Sequence, residues 1–554
     1  MGTSFKRLLL LGHRWLGIVL CAFFAMWFVS GVVMMYVGYP KLTDAERLRH
    51  LPALQAGAPL LGPQQAMAMA GVTGPLKELR LAAASGGDAV YLVQPTGAKG
   101  AAAIAVDARS GERIPLTDRA RAMASAAAFA GPGVGTHYLG TVEEDAFTHS
   151  RGLDGHRPLH RVQLADPEQT LLYVSGRTGE VVRDAPRHER LWNYAGAWIH
   201  WLYPLRGNVF EPYWADIVNW LAIAGTAMVL SGATVGILRW RFRAPYRSGS
   251  RSPYPGAMMR WHHIGGLLFG VVTATWIFSG LMSMNPWRIF DGGAPPLRIE
   301  ALEGAALLPS ARDAAPAALL SAAGPGIREL KWTRVLGGTM VLAQPAAGAP
   351  RVLDSRTSRP AAVAGGALLD AARALLPHPV AKVERLDAYD LYYYSRDAHS
   401  MTGGGGKPLP VWRIAFADPH QSWVYLDPHT GALVGRSDRH KRWSRWLFAM
   451  LHSWDWLPLL ERRPLWDLVM LALSVGGAIL SMTGVVIGWR RLGRKLHAAG
   501  DGRAWSRLRG RALPDGADVV PIHPHTGDSQ AHRSGGSSSE TRHRRAASAR
   551  TQAR

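Results

Sequence analysis

Four histidines stand at matched places along this 554-residue chain, and imidazole is the side chain best suited to hold a metal in an apolar setting. His13 and His262 each lie four residues before a glycine (Gly17, Gly266) and fourteen before a tryptophan (Trp27, Trp276). Each also lies eighteen before the glycine of a Ser-Gly pair (Gly31, Gly280). His200 in "NYAGAWIHWLYP" and His452 in "RWLFAMLHSWDWLP" are 252 residues apart. Imidazoles on facing helices can take both axial positions of a b-type haem, provided there is room for a flat macrocycle. Gly17 and Gly266, one turn along, leave space for a porphyrin edge or equally for a neighbouring helix. A lone interfacial histidine more often snorkels or caps, and Trp198, Trp201, Trp454 and Trp456 are typical membrane-belt residues. Repetition at several offsets weighs against that bland alternative. His263 lies outside the repeat register, because Arg14 occupies its place, and is held in reserve as a ligand. With Cys21 as the one cysteine, disulfides, iron–sulfur clusters, cysteine-rich zinc sites and c-type haem attachment are excluded.

Four apolar stretches, roughly 8–36, 214–238, 264–284 and 465–489, could position these histidines, since about 20 residues cross a bilayer. The chain is 48% hydrophobic, yet its mean hydropathy is near zero, so spans must be joined to sizeable water-facing domains. Net charge is +23. Much of it falls at alternate span boundaries: Lys6, Arg7 and Arg14, then "RWRFRAPYRSGSR", then "WRRLGRK". By the positive-inside rule both termini are cytoplasmic, and the charge needs no nucleic-acid partner. The expected domains are a cytoplasmic N-terminus with the first span (1–37), an external domain (38–189), an interfacial helix with the second span (190–240), and a basic loop (241–260). A third span (261–284), a second external domain (285–441), an interfacial helix with the fourth span (442–491) and a basic, disordered tail (492–554) complete the order.

The halves repeat. "VQLADPEQTLLYVSGRTGEVV" (162–182) parallels "IAFADPHQSWVYLDPHTGALV" (414–434), with Arg161 and Arg413 just ahead. Strand, Gly turn, strand patterns such as "AIAVDARSGERI" and "RVLDSRTSRP" read as hairpins, and apolar-periodic stretches add helices. The expected fold is an integral membrane protein of four transmembrane helices with two external α+β domains, internally duplicated about a pseudo-twofold axis. The helix-plus-hairpin unit with its D-x-x-T-G turn resembles the PepSY module. The features "HRWLG", "DLYYYSRDAHS", "LPVWRIAFADPHQSWVYLDPHTG" and "RWLFAMLHSWDWLPLLERRPLWDLVM" together resemble the PepSY-associated transmembrane family of bacterial inner-membrane proteins. Ser175 stands where the second copy has Asp427.

That resemblance implies iron uptake, with some family members acting as haem-containing ferric-siderophore reductases. It implies two haems b: one held by His13 and His262 near the cytoplasmic face, one by His200 and His452 near the periplasmic face. Arg161, Arg413, Tyr392 and Tyr394 are candidates for contacting a ferric chelate or siderophore. The electron donor would be a cytoplasmic reductase or membrane quinol, because no flavin or nicotinamide motif is present. The alternative is a non-enzymatic membrane protein that binds or regulates a periplasmic peptidase or transport partner. The stretch "HSRGLDGHRPLHR" (149–161) reads as a solvated loop.

Overall fold

The computed structural model describes residues 3–96, 103–404 and 406–500. The compact unit is Met1–Leu492; beyond it only the end of the last helix is described, and the basic tail lies outside the described residues. Along the chain, α1 (Thr3–Tyr36) is followed by α2 (Asp44–His50), α3 (Pro63–Met69), β1 (Leu76–Ser85), β2 (Asp88–Pro95) and β3 (Ile104–Asp107). α4 (Arg119–Ala130) leads to β4 (Thr136–Val142), β5 (Leu159–Leu164), β6 (Leu171–Ser175) and β7 (Val181–Ala185). α5 (Arg187–Asn193) runs into a π-helical turn (Tyr194–Trp198), and then come α6 (Trp214–Arg239) and α7 (Ala257–Ser283). Next are α8 (Glu300–Glu303), α9 (Pro316–Ala323), β8 (Ile327–Val335), β9 (Gly338–Pro345) and β10 (Arg351–Asp354). α10 (Gly365–Arg373) precedes β11 (Val380–Leu386), β12 (Val411–Phe416), β13 (Trp423–Leu426) and β14 (Leu433–Ser437). α11 (Arg439–Arg445), a second π-helical turn (Trp446–Met450), α12 (Leu457–Leu460) and α13 (Leu465–Gly500) close the order.

α1, α6, α7 and α13 are the helices long and apolar enough to cross a membrane. Each lacks an internal proline, so the backbone ladder is unbroken, as hydrocarbon requires. Their outward side chains, among them Val29, Leu230, Leu268, Val271 and Ile479, are exposed, an apolar surface that lipid rather than water would cover. Inward, Leu20, Phe24, Phe28, Trp276 and Trp466 are buried. This is a membrane protein. Two helices outrun the apolar runs that announce them: α7 begins at Ala257, and α13 continues to Gly500 through "RRLGRKLHAAG". Arg, Lys, Leu and Ala are good helix formers, so polarity ends the apolar stretch without ending the helix.

The strands form three antiparallel sheets. Two are four-stranded meanders, β4-β5-β6-β7 and β11-β12-β13-β14. The third has six strands in the order β10-β9-β8-β1-β2-β3, so strands from far apart in sequence meet at its centre. Leu79 pairs with Trp332 and Leu81 with Leu330 across that seam. The packing explains the meeting. Leu79, Leu81, Tyr91, Leu330 and Trp332 form one core with Met67 of α3 and Leu319 and Leu320 of α9. Fully burying side chains of this size is worth about 1.5–3 kcal/mol each, which neither three-stranded meander could reach alone. The Gly turns fix how the meanders dock. Gly179 and Gly431 both have positive φ, and a Cβ at either would collide, with Ser85 and with Val335 respectively. The stretch 149–161 is a solvated loop only in part: 150–155 is mostly exposed around a 3₁₀ turn, whereas His160 is buried between Tyr138 and the Thr117 carbonyl.

The segment 397–402 is pinned against the end of α1 and against α5. His399 Nε2 lies 2.8 Å from Glu46 and its Nδ1 2.9 Å from Glu189. The hydrogen bond that His399 donates to Glu189 outweighs burial and lifts the imidazole to about 9, while burial beside Glu189 and Glu46 lifts Asp184 to about 7. A raised histidine value means the contribution to stability is complete below about 6.5 and lost as pH rises through about 9. Hydrogen exchange at 397–402, corrected for intrinsic rate, should therefore accelerate between pH 7 and pH 9.5, and His399→Ala should flatten the dependence. Equal protection at both pH values would contradict the clamp.

Candidate functional site

The spans bring the paired histidines together. His13 on α1 faces His262 on α7, with ring centroids 6.2 Å apart and planes inclined by 36°. They line a cavity of about 330 Å³ bounded by α1, α6, α7 and α13, in the half of the bundle far from the sheets. Glycines make the space. A Cβ on Gly232 of α6 would overlap the His13 ring, and one on Gly484 of α13 would overlap Cys21 and lie 3.4 Å from His262. Gly17 and Gly266 line the same cavity, and a Cβ on either would meet nothing nearer than 3.9 Å.

His200 and His452 meet at the sheet-proximal end, again with centroids 6.2 Å apart, their planes at 76°. Each follows a π-helical turn, a local widening that places the ring off the ordinary helical track. Two residues on, Leu202 and Trp454 take left-handed φ values of 53° and 47°, which ends each segment. Trp214 and Trp466 then donate to the carbonyls of Trp201 and Ser453, stitching each segment to the helix that follows. Gly31 and Gly280 lie against the rings: a Cβ there would sit in ordinary contact, 3.5 Å from His200 and 3.8 Å from His452. Along α1 the two levels are separated by the seventeen residues from His13 to Ser30, roughly 25 Å of helix.

The hydrogen bonds assign one tautomer to all four rings. His13 Nδ1 donates to the Met228 carbonyl at 3.0 Å. His200, His262 and His452 approach Ser30, Thr483 and Ser279 through Nδ1 at 2.9, 2.9 and 3.0 Å. Each of those hydroxyls is also within reach of a carbonyl of its own helix, and with its proton there it accepts from Nδ1–H. The four Nε2 atoms are left with free lone pairs and no protein partner among the described residues. That is the state a metal-binding imidazole needs, with its other nitrogen anchored. An imidazole bound at about 2.0 Å has its ring centre roughly 3 Å from the metal, so two opposed imidazoles stand about 6 Å apart. Both pairs meet that spacing. At the sheet-proximal level the indole N–H groups of Trp198 and Trp276 are also buried without an acceptor. The donor set fits bis-histidine haem at both levels, and at the His13–His262 level the cavity adds clearance.

Residues 10–375 match the family described as the PepSY-associated TM region, a span that includes His13, His200 and His262. The chain belongs to that family. No curated protein matches it. Three of the four paired histidines thus fall inside the PepSY-associated match, and His452 lies beyond it.

The remaining sequence candidates are placed differently. His263 is buried with both nitrogens engaged, Nδ1 with Ser252 and Nε2 with the Gly236 carbonyl, so it clamps the 241–256 loop to α6. Arg413 is tied to Glu384 and Asp390 and covers Trp423. Tyr392 accepts from Trp446 Nε1, and Tyr394 donates to the Gly403 carbonyl. Arg161 reaches the Leu139 carbonyl at 3.5 Å, on a different sheet from Arg413. Arg413 and Tyr392 both lie against Trp423, but Arg161 is on another sheet, so the four do not form one site. Among the described residues no cluster of three or more His, Cys, Asp or Glu could hold a free metal ion. Sequence reasoning missed Gly232, Gly484 and Thr483, although "SGATVG" (231–236) and "TGVVIG" (483–488) share a hydroxyl–Gly–x–x–x–Gly pattern. It saw Ser30 and Ser279 only as repeat markers.

Proposed function

We propose that this protein is a di-haem b-type electron-transfer protein of the bacterial inner membrane that reduces ferric chelates, of the siderophore kind, on the periplasmic side. The observation that carries this is the pair of imidazole pairs, each spaced at 6.2 Å with Nδ1 anchored. Bound there, haem b would supply one-electron chemistry at an iron closed to outside ligands. The chain's own part is to fix that setting. Ser30, Ser279, Thr483 and the Met228 carbonyl hold the rings in one tautomer, the glycines leave clearance, and Leu20, Phe24, Phe28 and Trp276 exclude water. The matched glycines, π-turns, left-handed residues and tryptophan stitches support an origin by duplication. The basic ends of the helices support cytoplasmic termini, with the sheets outside. A cytoplasmic reductase or a membrane quinol is the donor this arrangement calls for. The ferric chelate is the substrate, and reduction frees its iron because oxygen ligands hold Fe(II) far less tightly.

The test is anaerobic mixing of the chemically reduced protein with a ferric hydroxamate and an Fe(II)-specific chromophore. Reoxidation of the protein with stoichiometric Fe(II) release is expected. Stable reduced protein with no Fe(II) would reject ferric-chelate reduction. Replacing Ser279 with Ala removes the acceptor that holds His452, so haem at that level should be retained 10- to 100-fold less firmly. Ser279→Thr keeps the hydroxyl and should restore retention; equal loss in both variants would show that the hydroxyl is irrelevant.

A further inference from the structure

The cavity around His13 and His262 carries a feature that membrane topology alone does not require. Arg14, Arg239 and Arg491 line its sheet-distal end, drawn from α1, α6 and α13. None of the three has a carboxylate partner among the described residues. Arg239 only faces the Tyr254 ring at 5.8 Å, and Arg491 Nε is buried with no acceptor at all. Elsewhere Arg47, Arg80, Arg396 and Arg413 each meet an acid, and the buried Arg183 donates to two carbonyls instead. Three guanidiniums against a largely apolar cavity, unneutralised, are costly to hold unless an anion completes them. The forked geometry of guanidinium suits paired carboxylate oxygens.

On each of α6 and α13, eleven residues separate the deepest lining residue from the arginine: Met228 to Arg239, and Leu480 to Arg491. That is roughly 16 Å of helix. The cavity thus has an imidazole pair along its length and a cationic end, the chemistry of a flat apolar ligand with two carboxylates on one edge.

We propose that Arg14, Arg239 and Arg491 form the carboxylate clamp for the tetrapyrrole at the His13–His262 level, an inference that rests on the di-haem reading above. The arginines orient the ligand edge-first, with its carboxylates toward the sheet-distal face. A lipid headgroup phosphate could satisfy the same guanidiniums, so the test must separate the two.

The experiment uses full-length protein carrying His200→Ala and His452→Ala, so that one haem level remains, reconstituted in purely zwitterionic lipid. Iron protoporphyrin IX is titrated against its dimethyl ester, in which both carboxylates are masked. The free acid should bind on the order of 10- to 100-fold more tightly, each set of charge-assisted bonds being worth one to two decades. Arg14→Lys with Arg239→Lys and Arg491→Lys preserves the charge that orients the helices but removes the fork, and should shrink the preference at least several-fold. Equal affinity for acid and ester without these replacements would overturn the clamp while leaving bis-histidine ligation intact. So would an acid preference unchanged by the three lysine replacements, which would leave the arginines to lipid headgroups. Binding of neither porphyrin would overturn the di-haem reading itself, and the clamp with it.

Discussion

Replacing His452 with alanine should remove one of the two proposed haem centres and leave the other. The expected haem content falls from two per chain to one, and a redox titration loses one of its two waves. His200→Ala should give the same phenotype, because the two rings share one level. His13→Ala and His262→Ala should each delete the other wave and spare this one, because about 25 Å of helix and separate packing divide the levels. The effect is expected to be all-or-none: a haem held by two imidazoles would, on losing one, lose its low-spin signature and much of its hold on the protein. A gel-filtration profile unchanged from the parent would show that the fold survives. If every one of the four replacements abolished both waves together, the two-level arrangement would be wrong.

The second large effect lies away from the bundle. Arg80→Ala should lower stability by about 3–5 kcal/mol, the usual consequence of stripping one partner from a buried ionic network. Arg80 lies 3.1 Å from Glu180, 3.0 Å from Glu329 and 2.7 Å from Glu78, with Arg47 adding a contact to Glu329 at 2.8 Å. Glu329 and Glu180 are only 2% and 4% exposed. Burial alone would raise the Glu180 carboxyl, but Arg80 and Arg47 overcome it and hold it below the ordinary carboxylate range. Without Arg80 that carboxylate is left in a dry seam. The seam matters structurally, since Arg80 belongs to the six-stranded sheet and Glu180 to the turn before β7. Lys331→Ala is the control: the lysine is 41% exposed and 4.0 Å from Glu78, so its loss should cost at most about 0.5 kcal/mol. Thermal unfolding followed by tryptophan fluorescence in detergent should separate the two variants clearly. Equal melting would show that the network contributes nothing.

How much of this was legible in the sequence varies by element. The four long helices were plain, because lipid demands long apolar runs. The partnership of His13 with His262, and of His200 with His452, followed from spacing and from which end of each span the residue occupies. The hydroxyls of Ser30, Ser279 and Thr483 were not, since serine and threonine are common in membrane helices and their acceptors depend on which faces meet. The π-turns at 194–198 and 446–450 have no composition of their own. The joining of β1 to β8 was also out of reach: alternation tells which face of a strand is buried, not which strand lies beside it. A hint existed in the end of β1, "LAAAS", where five successive residues are buried as in a central strand. The tyrosine–arginine candidates for chelate contact were the weakest inference: Tyr392 is engaged by Trp446, and Arg413 by Glu384 and Trp423.

The account turns on whether the opposed imidazoles hold haem. The most direct measurement is the reduced-minus-oxidised optical spectrum of the purified full-length protein, with haem extracted and counted per chain after expression in haem-replete cells. The di-haem proposal predicts two low-spin b-type haems per chain, each lost separately with its own histidine pair. A colourless protein, folded and monodisperse yet without haem absorbance, would contradict the account and leave the four histidines as packing residues.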